Sequence, residues 1–195
     1  MPKQLIRSTA GDTTRERILK AAMLRFAAHS YQKTVLRDIA ADAGVDMAYV
    51  HRSFGSKEKL FEEALRETSQ LSRILDGDPD TVPERLAKEV LVSRGTNEIR
   101  PFDIFVHSLS SPDAAEVLRK TLSEDFIAPL LESRPHLTET QAGLMAAILL
   151  GVGILRDVLR APGLQAMSGG ELEQQLSSLI SSLFAVDDEE GERPG

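Results

Sequence analysis

Between Thr34 and Phe54 two short amphipathic segments flank a single glycine, Gly44, an arrangement that few folds accommodate. Leu36, Ile39, Ala40 and Ala43 fall at i, i+3, i+4 and i+7, which gives the first segment one apolar helical face, with Thr34 placed as its cap. Gly44 supplies the left-handed residue that a tight turn needs, and Asp46 caps the helix that follows. Val45, Val50 and Phe54 direct the apolar side of that second helix inward. Small Ala40, then Gly44, then branched Val50 meet the steric needs of a helix-turn-helix: close approach, a turn, and a filler for the angle between the helices. A preceding helix with Ile18, Ala22 and Phe26 on one face completes a three-helix core. The same spacing suits any small helical hairpin, and the surface left over is what sets this one apart. Met47, Ala48, Tyr49, His51, Arg52 and Ser53 share a helix of about two turns. Most of them therefore lie outside the core, with Arg37, Lys57 and Lys59 around them.

No stretch alternates with period two, and helix signals recur along all 195 residues, so the expected fold class is all-α. Four capping boxes, Thr13/Glu16, Thr81/Glu84, Thr138/Gln141 and Ser168/Glu171, mark helix starts. Breaks at 76–80, 110–112, 134–135 and 161–163 agree with them. Helices are expected near 13–29, 35–43, 47–53, 57–75, 82–94, 102–109, 112–133, 139–160 and 169–185, with a kink at Pro129. The acidic tail, residues 187–195, has nothing to bury and is expected to be disordered. The chain has no cysteine, which excludes disulfides and thiolate chemistry, and His29, His51, His107 and His136 are too scattered for a metal site. No cofactor is expected. The longest apolar run, 142–155, is short for a bilayer span, and no signal peptide follows Met1, so a soluble cytoplasmic protein is expected.

The net charge of −7 is unevenly spread. Residues 1–66 hold 12 Lys and Arg against 8 Asp and Glu, whereas residues 67–195 hold 11 against 22. A basic segment joined to a larger acidic one is the asymmetry of a chain in which only one part meets phosphate.

Three groups of residues lie at the mutual spacing of a known motif set. They are Arg17-Ile18-Leu19 with Ala21-Ala22 and Phe26-Ala27; Thr34 with Arg37-Asp38-Ile39-Ala40 and Ala43-Gly44-Val45; and Phe54-Gly55-Ser56-Lys57-Glu58-Lys59-Leu60. Through them residues 13–66 resemble the TetR family of one-component bacterial transcription regulators, whose signature Phe-x-Ser-Lys-Glu-x-Leu the last group is similar to. The resemblance implies a DNA-binding domain over 11–71, its helix-turn-helix at about 34–54, and a helical ligand-binding and dimerisation domain over 72–186. It also implies roles. Thr34 caps the second helix and touches phosphate, and Arg37 reaches a base edge or phosphate. Met47, Ala48 and Tyr49 face bases in the major groove, and Lys57 holds phosphate with help from the amides at its helix start. Four positions depart from the family pattern. Ser30 replaces a glycine and implies a strained or different turn, and Ala48 replaces a glycine in the recognition helix. His51 stands for a tyrosine, keeping one ring donor for phosphate, and Ser53, also expected in the DNA-binding set, stands for a histidine.

In the remainder, helix 139–160 is apolar nearly all round and needs cover on both sides. Leu144, Ile148, Gly151, Val152 and Leu155 on it, with Leu176, Leu179, Ile180 and Leu183 on the last helix, are the expected dimer interface. A buried helix in a monomer is the alternative. Phe102, Phe105, His107, Leu109, Leu118, Leu122 and Phe126 are the expected pocket for a largely apolar small-molecule effector, with plain core as the alternative for each. The expected function is a homodimeric regulator, a repressor that binds a palindromic operator in double-stranded DNA and is released by the effector. A helical adaptor with degenerate DNA binding, or an activator of the same fold, is the alternative. An enzyme is not expected, because no glycine-rich phosphate loop, nucleophile elbow or metal-ligand spacing is present. No membrane partner is expected.

Overall fold

The computed structural model describes residues 12–68, 71–76, 78–91, 99, 101–166 and 169–185. The first helices are α1 (Thr14–Ala28), α2 (Leu36–Ala43), α3 (Met47–Phe54) and α4 (Lys57–Thr68). There follow α5 (Leu71–Leu75), α6 (Val82–Leu91), α7 (Pro101–Ser108) and α8 (Pro112–Leu122). The last are α9 (Ala128–Ser133), α10 (Glu139–Gly153), α11 (Pro162–Ala166) and α12 (Gly169–Phe184). No strand occurs among the described residues, and the protein is all-α.

Local chemistry accounts for most of the boundaries. Both arms of the capping box form at Thr13/Glu16, where the Thr13 N–H donates to Glu16 Oε2 at 2.7 Å. They form again at Thr138/Gln141, with the Thr138 N–H 2.7 Å from Gln141 Oε1. The box expected at Thr81/Glu84 is not made. The Asp78 carboxylate instead accepts the Asp80 N–H at 3.0 Å, the Thr81 hydroxyl donates to the Asp78 carbonyl at 2.9 Å, and a 3-10 turn over Pro79–Thr81 precedes α6. Ser168 and the acidic tail 187–195 lie outside the described residues. Pro129 lacks an N–H, and the chain accommodates it with a π-helical turn over Ser123–Ile127 that leads into α9. A second π-helical turn, Ile154–Val158, continues α10. Ser30 is not strained: α1 ends on His29 in extended backbone (φ −137°, ψ 152°), and Arg160 is the one described non-glycine residue with positive φ.

Packing divides the chain into two compact units, residues 1–69 with 94–122, and residues 70–93 with 123–195. In the first, α1 packs on α2, α4 and α7, and α4 also packs on α8. Ile18, Ala22, Phe26, Ile39, Leu60 and Phe61 form its core, joined by Ile104 of α7 and by Ala114 and Leu118 of α8. Phe26, Tyr31 and Phe61 meet at its centre, with Phe61 edge-on to Phe26 at 4.8 Å and to Tyr31 at 4.9 Å. The unit is thus discontinuous in sequence. Full burial of Ile104 alone is worth ~2 kcal/mol, which is reason enough for α7 to close the faces of α1 and α4 that the helix-turn-helix leaves open. In the second unit α6 packs on α12 and α10, and Leu86, Leu130, Met145, Leu149, Leu172, Leu176 and Ile180 make the core.

Candidate DNA interface

The helix-turn-helix forms as its spacing predicts. Gly44 sits in the left-handed region (φ 66°, ψ 39°), and the Val45 N–H closes the end of α2 on the Ala40 carbonyl at 3.0 Å. The Asp46 carboxylate accepts the Tyr49 N–H at 2.8 Å and so starts α3. Ile39, Ala40, Ala43, Val50 and Phe54 are all buried, which fixes the face of α3 that remains for solvent. Arg25 braces α1 against α2 through Asp42 (2.5 and 2.9 Å), and Arg15 braces α1 against α4 through Glu63 (2.6 and 2.8 Å).

The solvent face of α3 carries Met47, Ala48, Tyr49, His51 and Arg52, all exposed. The Arg52 guanidinium lies 5.5 Å from the Tyr49 ring centre, so a flat aromatic and a five-donor fork are presented side by side. Arg37, in the first turn of α2, is exposed as well, whereas Ser53 is half-buried. At the end of α3 the Ser56 N–H donates to the Phe54 carbonyl at 3.0 Å across Gly55, whose φ of 80° and ψ of −62° define a γ-turn of the rarer hand. His51 Nδ1 lies 3.1 Å from the Gly55 carbonyl. A carbonyl only accepts, so Nδ1 carries the proton and Nε2 of the neutral ring carries a lone pair. Nε2 is then the ring nitrogen left for a phosphate, and it donates only in the doubly protonated ring.

A two-turn helix with an exposed face of polar and planar side chains, seated on a packed core and preceded by a helix with exposed Arg37, is suited to a DNA groove. Residues 80–183 match the family described as tetracyclin repressor-like, C-terminal domain, and residues 18–64 match bacterial regulatory proteins, tetR family. The chain belongs to the TetR family. It carries the family's DNA-binding helix-turn-helix and is a transcription regulator by that membership. It is similar in structure to a TetR-family regulator from Streptomyces coelicolor A3, 25% identical, with a TM-score of 0.57 over 91% of this chain and 98% of that one. A transcriptional regulator from Rhodococcus sp. Rha1 is 26% identical, with a TM-score of 0.62 over 88% of this chain and 96% of that one. NalD, the secondary repressor of the MexAB-OprM multidrug efflux pump in Pseudomonas aeruginosa, has a TM-score of 0.64 over 89% of this chain and 96% of that one. At 20% identity it shows the fold alone. No curated protein sequence matches the chain.

Of the residues that the TetR resemblance assigns to phosphate, Thr34 points inward and Lys57 is half-buried. Thr34 is 1% exposed; its hydroxyl donates to the Ser30 carbonyl at 3.2 Å, and Val35 occupies the cap position of α2. Lys57 is half-buried, with Nζ 4.1 Å from the centre of the Tyr31 ring. Burial pushes its ammonium below the usual lysine range, offset in part by Glu58 and Asp113. The Tyr31 hydroxyl donates to Glu58 Oε1 at 2.9 Å, and the phenol is pushed up first by burial and then by that bond. Glu58 is held below the usual carboxylate range by its own backbone N–H, then by the hydroxyls of Ser56 and Tyr31. Arg52, exposed beside Tyr49, was not among the candidate contacts expected from sequence. Its signal was the three-residue spacing from Tyr49, which places the two side by side on a helix.

The residues expected to form a pocket do not share one environment. Phe105 and Leu118 pack in the first unit's core and Phe126 on the second's. His107 is exposed, with Nδ1 2.8 Å from the Asp103 carbonyl of its own helix. Leu109 is exposed, and Phe102 and Leu122 are half-buried. Among the expected interface residues, Leu176 and Ile180 are buried in the second unit's own core and are not available to another chain. Ile148, Val152 and Leu183 are packed against that core in part, whereas Leu144, Leu155 and Leu179 are exposed.

Proposed function

We propose that the protein is a homodimeric repressor that binds a palindromic operator in the cytoplasm and is released by a small molecule. The observation that carries the dimer is the surface of α10. Leu144 is 50% exposed and Leu155 45%, in line with half-buried Ile148 and Gly151. A Cβ added at Gly143 or Gly151 would meet nothing within 4 Å, so neither glycine is explained by a close neighbour in this chain. The stretch Glu139–Val158 is long and apolar enough to cross a membrane by length and composition, with only 33% of its apolar window buried. A second copy of the same helix covers that face and places two recognition helices for paired half-sites. Release by an effector rests on family membership.

Selection of bound fragments from sheared host DNA at about 150 mM salt tests the reading, because non-specific binding is weak there. The expected result is a palindrome whose half-sites are about one helical turn apart, or a multiple of that. A folded dimer that recovers no common sequence overturns it in favour of the adaptor reading, which the departures at Ala48, His51 and Ser53 would then explain.

A further inference from the structure

We propose that Arg52 reads a guanine in each half-site of the operator, through the O6 and N7 acceptors that this base presents in the major groove. The inference rests on the DNA-binding reading above and adds to it the identity of one base. Successive residues of a helix lie about 100° apart around its axis, so the core contacts of α3 fix what its other positions face. Val50 and Phe54 are 1% and 5% exposed and point into the first unit. Arg52 lies about 180° from the middle of that buried pair and Ala48 about 140°, with Tyr49 and His51 to either side. A helix seated on its core and lying in a groove turns the side opposite that core to the base edges and its flanks to the two walls. Arg52 holds the base-facing side.

Arg52 also leans the right way along the helix. Helical side chains slant toward the N-terminus, and the Arg52 guanidinium is 5.5 Å from the centre of the Tyr49 ring, nearly one turn earlier. That lean carries the stem over Ala48, whose methyl is small enough for the helix to approach the base edges. The planar fork is thus directed to the N-terminal turn, the part of a recognition helix that touches bases. It makes no hydrogen bond or ion pair with another described residue, which leaves its five donors for DNA. His51, the other basic residue of α3, has Nδ1 directed to the Gly55 carbonyl at 3.1 Å, and Arg37 and Lys59 stand on neighbouring helices. Two parallel N–H donors of one guanidinium match two acceptors on one base edge, and in the major groove only guanine offers that pair.

The test is selection of bound duplexes from a random-sequence pool at about 150 mM salt, by the wild type and by Arg52→Ala, followed by affinities for the selected operator. The wild type should select a guanine at one fixed position of each half-site, and replacing that base pair should weaken its binding about 5- to 150-fold. Arg52→Ala should lose the preference at that position and keep it elsewhere. A deazaguanine there, in which carbon replaces N7, should weaken the wild type and leave Arg52→Ala indifferent. The thermal midpoint should hold, because Arg52 is exposed. A phosphate contact behaves otherwise: Arg52→Ala would then weaken all duplexes alike and lower the salt slope by about one for each chain bound, with base preferences unchanged, and that outcome overturns the assignment. A selected half-site without a guanine that depends on Arg52 overturns it as well. A wild type that selects no common sequence overturns the DNA-binding reading, and the inference falls with it; the wild type alone tells that failure from the others.

Discussion

Gly44 and Gly55 both carry positive φ, yet they make different demands on the residue that occupies them. Gly44 lies in the left-handed helical region, and a Cβ there would touch nothing within 4 Å. Alanine at 44 should therefore cost only the backbone preference, about 1 kcal/mol. Gly55 lies at the centre of a γ-turn that residues with a Cβ rarely enter, so alanine at 55 should cost more, about 1–3 kcal/mol. Denaturant midpoints of the two variants should rank in that order, and equal midpoints would mean that the γ-turn relaxes without strain. Spacing in the sequence reveals the first glycine as a turn. The second occupies a position that the family signature leaves free, and only backbone angles show why it is glycine. Glu58 adds a pH dependence with a definite sign. Its carboxyl is held low by its own N–H and by the hydroxyls of Ser56 and Tyr31, so its contribution to stability is present above the ordinary carboxylate range. It is lost as the pH falls through the lowered value. The difference in thermal midpoint between wild type and Glu58→Gln should be full at neutral pH and vanish in acid; a difference independent of pH would mean that the anion is not what matters.

Among the helices, caps separate what is readable locally from what is not. Thr13 and Thr138 each sit in a complete box, whereas Thr81 matches the same pattern and is overtaken by Asp78, three residues earlier. Thr138→Ala should cost about 1 kcal/mol, and Thr81→Ala measurably less, since the Thr81 hydroxyl caps no helix amide. Comparable losses in thermal unfolding would refute the displaced cap. Helix α4 illustrates the same limit on its surface. Its heptad-like pattern places Leu60, Phe61, Ala64 and Leu65 inside, as burial confirms, and it also puts Lys57 and Lys59 on different sides. Lys57, three and four residues before Leu60 and Phe61, shares their side, and Tyr31, 26 residues earlier in sequence, supplies the ring on which its ammonium rests.

At the level of the molecule, the chain passes between its two compact units at 69/70, 93/94 and 122/123. One helix expected from sequence, 112–133, runs through the last crossing and changes there to the π-helical turn Ser123–Ile127, whereas residues 69–70 of the expected helix 57–75 lie outside the described residues. The exposed apolar stripe of α10 belongs wholly to the second unit. Replacing Leu144 and Leu155 together by glutamate should turn a dimer into a folded monomer in sedimentation, with the helical content unchanged. Leu176→Ala should instead destabilise the second unit by roughly 2–5 kcal/mol whatever the protein concentration, because Leu176 is 4% exposed within its own chain. A dimer that survives the double substitution would remove α10 as the dimer face.

The all-helical class, most helix limits, the turn at Gly44 and the inward faces of α1, α2 and α3 follow from residue spacing and composition, because they depend on partners within one or two turns along the chain. Tertiary structure alone decided that α7 and α8 complete the first core, that Thr34 turns inward, that the Lys57 ammonium rests on the Tyr31 ring, and that Leu176 and Ile180 serve the core of their own unit. Those outcomes depend on groups distant in sequence, and an apolar or cationic side chain carries no local mark of which distant neighbour will meet it.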